Sequence, residues 1–113
     1  MPDPTATIIE QHPGVIVARV QADRLDESNL KAVRSEVSAA GADSPHLPVA
    51  LDLCNVSFLP SLSLGGLVQL LQIFKARGQR LVLANLQPSV RQTITVTRLD
   101  RLFEIQDDLS TLL

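Results

Sequence analysis

Apolar positions along the chain fall into two rhythms, and the places where one gives way to the other mark out its elements. Thr5 to Glu10 and Val15 to Val20 are short β-branched runs separated by Gln11-His12-Pro13-Gly14. Pro suits the second position of a type II turn and Gly the third, so these runs predict a β-hairpin. Asp23-Arg24-Leu25-Asp26-Glu27-Ser28 then offers capping and acidic first-turn residues, Leu30, Val33 and Val37 follow at helical spacing, and Gly41 is positioned as a stop. After a polar loop, Pro48 to Cys54 is an almost continuous apolar run, as expected of a strand covered on both faces. From Ser63 onward, Leu64, Leu67, Val68, Leu71 and Phe74 recur at intervals of three and four, with Lys75 and Arg77 in the last turn and Gly78 after it. Leu81-Val82-Leu83-Ala84 follows at once, a further buried strand that completes a parallel βαβ unit.

The last third is less regular. Pro88 suits the first position of a third helix, and Val90 and Ile94 keep helical spacing. Yet Thr93-Ile94-Thr95-Val96-Thr97 is β-branched throughout and alternates like a strand, so the residues alone leave both forms open. A short strand is expected at Phe103 to Ile105, and Asp107 as the cap of a last turn carrying Leu109, Leu112 and Leu113. The order of elements predicts an α/β domain: a mixed sheet with an N-terminal hairpin and about four helices packed on it. It is expected to span residues 1–113 as one unit, with residues 1–4 a flexible N-terminus.

Composition narrows the function classes. With 45% hydrophobic and 19% charged residues the chain can bury an aliphatic core. Only 3% is aromatic, which removes the stacking platform of single-strand binders, and twelve acidic residues against ten basic leave a net charge of -2, so nucleic acid is not expected as a partner. Cys54 is the single cysteine and lies in an apolar strand pattern, where a buried, reduced thiol is expected. The start, Met1-Pro2-Asp3-Pro4, has no basic region or apolar run, and no segment is long enough to span a bilayer, so the expectation is a cytoplasmic protein without membrane insertion. His12 and His46 lack ligand spacing, and neither a phosphate-cradling glycine motif nor Gly-x-Ser-x-Gly is present. Neither a metal nor a cofactor is expected, and an enzyme is not.

The candidate chemistry lies in Val56 to Leu67, where a strand hands over to a helix at the carboxyl edge of the sheet. Ser61 and Ser63 place two hydroxyls there, either as a functional group or as a helix cap. Neither belongs to a capping box, since Leu64 and Gly66 stand where Glu or Gln is required. Gly65 and Gly66 cost helix propensity, which points to close approach of a partner or to tight packing on the sheet. Leu59 and Leu62 flank the turn as docking patch or core. Asp52, at the strand end, is the best polar candidate to stand near Ser61, the alternative being local backbone hydrogen bonds.

Several segments taken together resemble the STAS domain, the fold shared by anti-sigma factor antagonists and the cytoplasmic domains of sulfate transporters. Asp23-Arg24-Leu25-Asp26 resembles the family's Gly-Arg-Leu-Asp; Leu51-Asp52-Leu53 with Val56-Ser57-Phe58 resembles its Leu-Asp-Leu and Val-x-Phe pattern. Arg77-Gly78-Gln79-Arg80-Leu81-Val82-Leu83 and Leu99-Asp100-Arg101-Leu102-Phe103-Glu104-Ile105 resemble two later segments. The resemblance implies a helix between Pro88 and Arg98. It also implies a phosphoacceptor at Ser61, the position phosphorylated in the antagonists by an anti-sigma factor that is a serine kinase. The expected partner surface comprises Leu59, Pro60, Ser61, Leu62, Ser63, Gly65 and Gly66, with Asp52 as a partner contact or support for the phosphosite. The family's loop reads Asp-Ser-Ser-Gly-Leu-Gly; here Pro60 replaces its Asp, Leu62 its second hydroxyl and Ser63 its Gly. Because of Pro60, the alternative is a non-phosphorylated STAS scaffold or an accessory subunit of a transport ATPase.

Overall fold

The computed structural model describes residues 6–110, 112 and 113. Residues 1–4, expected to be flexible, and Thr5, expected to open the first strand, lie outside them. Five strands, β1 (Thr7–His12), β2 (Val15–Val20), β3 (Val49–Asp52), β4 (Leu81–Ala84) and β5 (Glu104–Gln106), form one sheet in chain order. β1 and β2 pair antiparallel, with Thr7 opposite Val20 and His12 opposite Val15; the other neighbours are parallel. Each parallel step is bridged by a helix: α1 (Glu27–Asp43), α2 (Ser61–Ala76) and α3 (Pro88–Val96). A 3-10 turn at Leu99–Arg101 leads into β5.

All three helices pack on one face, because their buried residues join a single cluster with Ile16, Ala18, Val20, Val49, Leu51, Leu81 and Leu83. These strand positions are two apart, as the pleat requires. On the other face Val15, Val17 and Ala50 are covered by Leu109 and Leu112, so β3 is buried on both faces. The same alternation puts Arg19 and Asp52 on that second face.

Local differences from the sequence reading have physical causes. The hairpin turn is not type II, since Gly14 does not adopt the positive φ that turn demands. Gly41 does not end α1; it is buried inside the helix against the Phe74 ring, and the Ser44 N–H closes the helix on the Gly41 carbonyl two residues later. α2 begins at Ser61 rather than Ser63. The β-branched run before Arg98 is helical: Thr93 and Thr97 direct their hydroxyls back to the carbonyls of Ser89 and Thr93. β5 starts one residue late because Phe103 turns into the core. Among the described residues there is no fourth α-helix. Asp107 contacts Arg91 instead of capping, and Asp108 accepts from the Ser110 N–H.

Candidate functional site

The carboxyl ends of β3 and β4 point to one pole of the sheet, and the loop from Leu53 to Pro60 spans it. Two segments hold that loop. Ser57 and Phe58 donate their N–H groups to the Asp23 carbonyl at 2.8 and 3.1 Å, and the Phe58 carbonyl accepts from the Leu25 N–H. From the other side, Gln87 Nε2 donates to the Cys54 carbonyl and Ser89 Oγ to the Ser57 carbonyl, each at 2.8 Å. Val56 and Leu59 anchor the loop in the core. The start of α2 is thus fixed relative to the first turns of both α1 and α3.

Pro60 is the N-cap of α2, with φ -61° and ψ 150°, and no side chain caps this terminus. Ser61 is the first helical residue. It is exposed, and among the described residues its hydroxyl makes no hydrogen bond, so the reading of Ser61 as a cap fails. Ser63 does not cap either: its residue is buried and its Oγ has no hydrogen-bond partner. Leu59 is core, whereas Leu62 stands 80% exposed beside Ser61. Gly65 faces open space, while a Cβ on Gly66 would lie 2.2 Å from Leu30 Cδ2, so the two glycines answer to different constraints.

The Ser61–Leu62 ridge separates two clefts. One, of about 310 Å³, lies against α3 and is lined by Ser61, Ser89, Gln92, Thr93, Val96 and Thr97. The other, of about 610 Å³, lies against the start of α1 and includes Asp26, Glu27, Pro60 and Leu62. Val96 and Phe58 are 73% and 47% exposed, and Phe58 carries the Arg24 guanidinium 4.6 Å from its ring centre. Sequence reasoning missed α3 as a wall of the site. The available signal was Val96, an apolar residue off the face that Val90 and Ile94 bury.

Asp26, the N-cap of α1, accepts from the Ser28 N–H at 3.0 Å, and Asn29 Oδ1 accepts in return from the Asp26 N–H. The Ser28 hydroxyl, followed by the Ser28 N–H and the Arg24 guanidinium, holds the Asp26 carboxyl below the usual range, so this cleft keeps its negative charge into mild acid. Asp52 is placed elsewhere. Its carboxylate is buried on the second face of the sheet, 3.0 Å from Arg19 Nε, and accepts from the Cys54 N–H. Glu10 joins the same arginine at 3.3 Å. Asp52 therefore satisfies local backbone and a half-buried cation, and among the described residues no hydrogen bond joins it to Ser61. Cys54 is exposed, which corrects the expectation of a buried thiol: β3 ends at Asp52 and the chain turns outward. Local burial and then Asp52 push its thiol up, keeping it protonated at neutral pH. Among the described residues no cluster of metal-ligating side chains is present.

A serine at a helix start, exposed and with its hydroxyl unbonded among the described residues, thus stands at the carboxyl pole of the sheet between two clefts, with three outward-facing apolar side chains around it. Residues 6–112 match the STAS domain, and the chain belongs to that family. Solved structures agree. An anti-sigma factor antagonist from Mycobacterium paratuberculosis is 28% identical over 99% of this chain and 93% of its own, with a TM-score of 0.79. An anti-sigma-factor antagonist (STAS) domain protein from Planctomyces limnophilus is 22% identical over 94% of both chains, also at 0.79. The phosphorylated form of the Bacillus cell fate determinant SpoIIAA is 19% identical over 94% and 96%, at 0.66. The helix implied between Pro88 and Arg98 is present, and no helix is long and apolar enough to cross a membrane among the described residues.

Proposed function

We propose that this chain is a regulatory, non-enzymatic STAS protein of the cytoplasm, similar to anti-sigma factor antagonists. It binds an anti-sigma serine kinase through the Ser61 loop and α2, and phosphorylation of Ser61 switches that binding off. The observation that carries the proposal is the state of Ser61: exposed, its hydroxyl without a hydrogen bond among the described residues, and beside Leu62, the most exposed large hydrophobic side chain described.

A phosphate there adds about -1.5 to -2 charges. Across the ridge lie Asp26 and Glu27, and in the other cleft Ser89, Thr93 and Thr97 already donate their protons to backbone carbonyls. The cleft side chains thus offer little to neutralise the phosphate, and the surface becomes strongly anionic to a partner. Within its own fold the group is tolerated, because the uncapped N-terminus of α2 favours an anion by about 0.3–1 kcal/mol. Modification acts on binding and spares folding.

The test is mass spectrometry after incubation with ATP and the candidate kinase, with Ser61→Ala as control. Phosphate on Ser61 that disappears in the variant supports the switch. Ser61→Asp is expected to weaken the kinase complex at least about tenfold, some 1.4 kcal/mol, with the melting temperature unchanged. Pro60 favours one alternative: it supplies neither the carboxylate nor the N–H that an acidic residue presents beside the acceptor. Kinase binding without phosphate transfer would make the chain a scaffold or accessory subunit.

A further inference from the structure

A second surface lies away from the Ser61 pole, on the outer side of the two central helices. Lys31, Arg34 and Ser38 of α1 face Gln69, Ile73 and Ala76 of α2 across an open groove of about 620 Å³. Its charge is opposite to that of the molecule. Among the described residues no carboxylate lines it, α2 contains no acidic residue, and Arg77 beyond Ala76 donates to the Ser38 carbonyl and hydroxyl. The acid of α1 nearest by sequence to this stretch, Glu36, is turned toward the sheet, where it accepts from Ala6, Thr7 and the Thr7 hydroxyl. Among the described residues Lys31, Arg34 and Arg77 pair with no carboxylate, although the chain carries twelve acids against ten bases. Arg34 is held across the groove by Gln69 Oε1, and Ile73 on the opposite, uncharged wall is 40% exposed.

We propose that this groove docks an acidic amphipathic helix of a protein partner, apolar side chains on Ile73 and Ala76 and carboxylates toward Lys31, Arg34 and Arg77. Lys31 to Ser38 is two helical turns, about 10 Å, enough for two apolar anchors of a third helix laid along the pair. An anionic membrane is disfavoured because one isoleucine without an aromatic gives little to insert and the net charge is negative. A polyphosphate strand is disfavoured by the same field.

The probe is a synthetic helix of about 14 residues with Leu at i, i+3, i+4 and i+7 and Glu flanking them, titrated into the full chain by NMR. Saturable shifts confined to Lys31–Ser38 and Gln69–Arg77 are expected. A scrambled peptide and one with Lys for Glu should bind at least about tenfold more weakly, as should the wild-type pair in about 500 mM rather than 50 mM salt. Lys31→Glu and Arg34→Glu, both at the surface, should keep the native spectrum and lose about tenfold or more each. Equal binding of the scrambled peptide, shifts at the Ser61 pole, or no saturable binding overturns the proposal. So does charge-reversal-sensitive binding of phosphatidylglycerol vesicles or duplex DNA in place of the helix. None of these outcomes bears on the Ser61 reading.

Discussion

Adjacent glycines in α2 provide a controlled comparison, since one backbone change should have opposite signs at neighbouring positions. A Gly→Ala change inside a helix favours folding by about 0.8–1 kcal/mol through propensity. At Gly65 nothing lies within 4 Å of the added Cβ, so the full gain is expected. At Gly66 the same atom would meet Leu30 Cδ2 at 2.2 Å and Cγ at 2.9 Å. Leu30 is itself 9% exposed and part of the core, so moving it overpacks the α1–α2 contact at a cost of about 1–3 kcal/mol. The net for Gly66→Ala is then between neutral and about 2 kcal/mol destabilising, and the two variants should differ by about 1–3 kcal/mol. Urea denaturation with unchanged slopes measures both. In a Leu30→Ala background, itself about 2–5 kcal/mol less stable, Gly66→Ala should become favourable and approach the Gly65→Ala gain. Equal stabilisation by both alanines, or no coupling between positions 30 and 66, would refute the close-approach argument. Gly65→Ala carries a second readout: a stabilised variant that loses kinase binding would assign this open glycine to the partner.

Ser63→Ala should raise stability by about 1 kcal/mol or more, since it removes a buried hydroxyl that has no partner and leaves no donor behind; a loss in thermal denaturation would mean that the hydroxyl is bonded. Burial raises the Glu36 carboxyl, but the Thr7 hydroxyl and the Ala6 and Thr7 N–H groups together outweigh it and hold the group below its usual value. Its folded value being the lower one, its contribution is complete above the unfolded carboxylate range near pH 4.3 and disappears as pH falls through the folded value. Hydrogen exchange should therefore show the Ala6–Thr7 end of β1 opening first in acid, and Glu36→Gln should flatten that pH dependence. Gly41→Ala should destabilise despite better propensity, because its Cβ would lie 2.8 Å from Phe74 Cζ and 3.0 Å from Gln79 Oε1; an unchanged urea midpoint would contradict the packing at that point.

The fold was legible wherever one period dominated. Leu64, Leu67, Leu71 and Phe74 specify α2, and the apolar runs of β3 and β4 follow from burial on both faces, with Leu109 and Leu112 from the far end of the chain packed on the cluster that holds Ala50 of β3. What was illegible depended on contacts distant in sequence. Gly41 looks like a stop because glycines often end helices, but here it makes room for Phe74 and Gln79, more than thirty residues on. Cys54 looks buried because it continues an apolar run, and only the end of β3 at Asp52 exposes it.

The candidate site was proposed from the order of elements, and the roles of its individual residues could not be read that way. The hand-over from strand to helix locates Ser61, but the chain around it cannot reveal that Leu59 anchors the loop while Leu62, three residues on, points outward. Both are leucines beside a turn, but Leu59 lies in the loop and turns into the core, whereas Leu62 lies in α2 and is exposed. One turn on, at Gly66, α1 and α2 approach too closely for a side chain, which restricts how α2 can turn on α1. The presentation of Leu62 and Ser61 is therefore predicted to depend on helix packing one turn away. A variant that pushes α1 and α2 apart at Gly66 should therefore alter partner binding at Ser61 without touching either residue. If Gly66→Ala kept full kinase affinity while losing stability, the packing and the docking surface would be independent, and the rotation would have no part in presenting the serine.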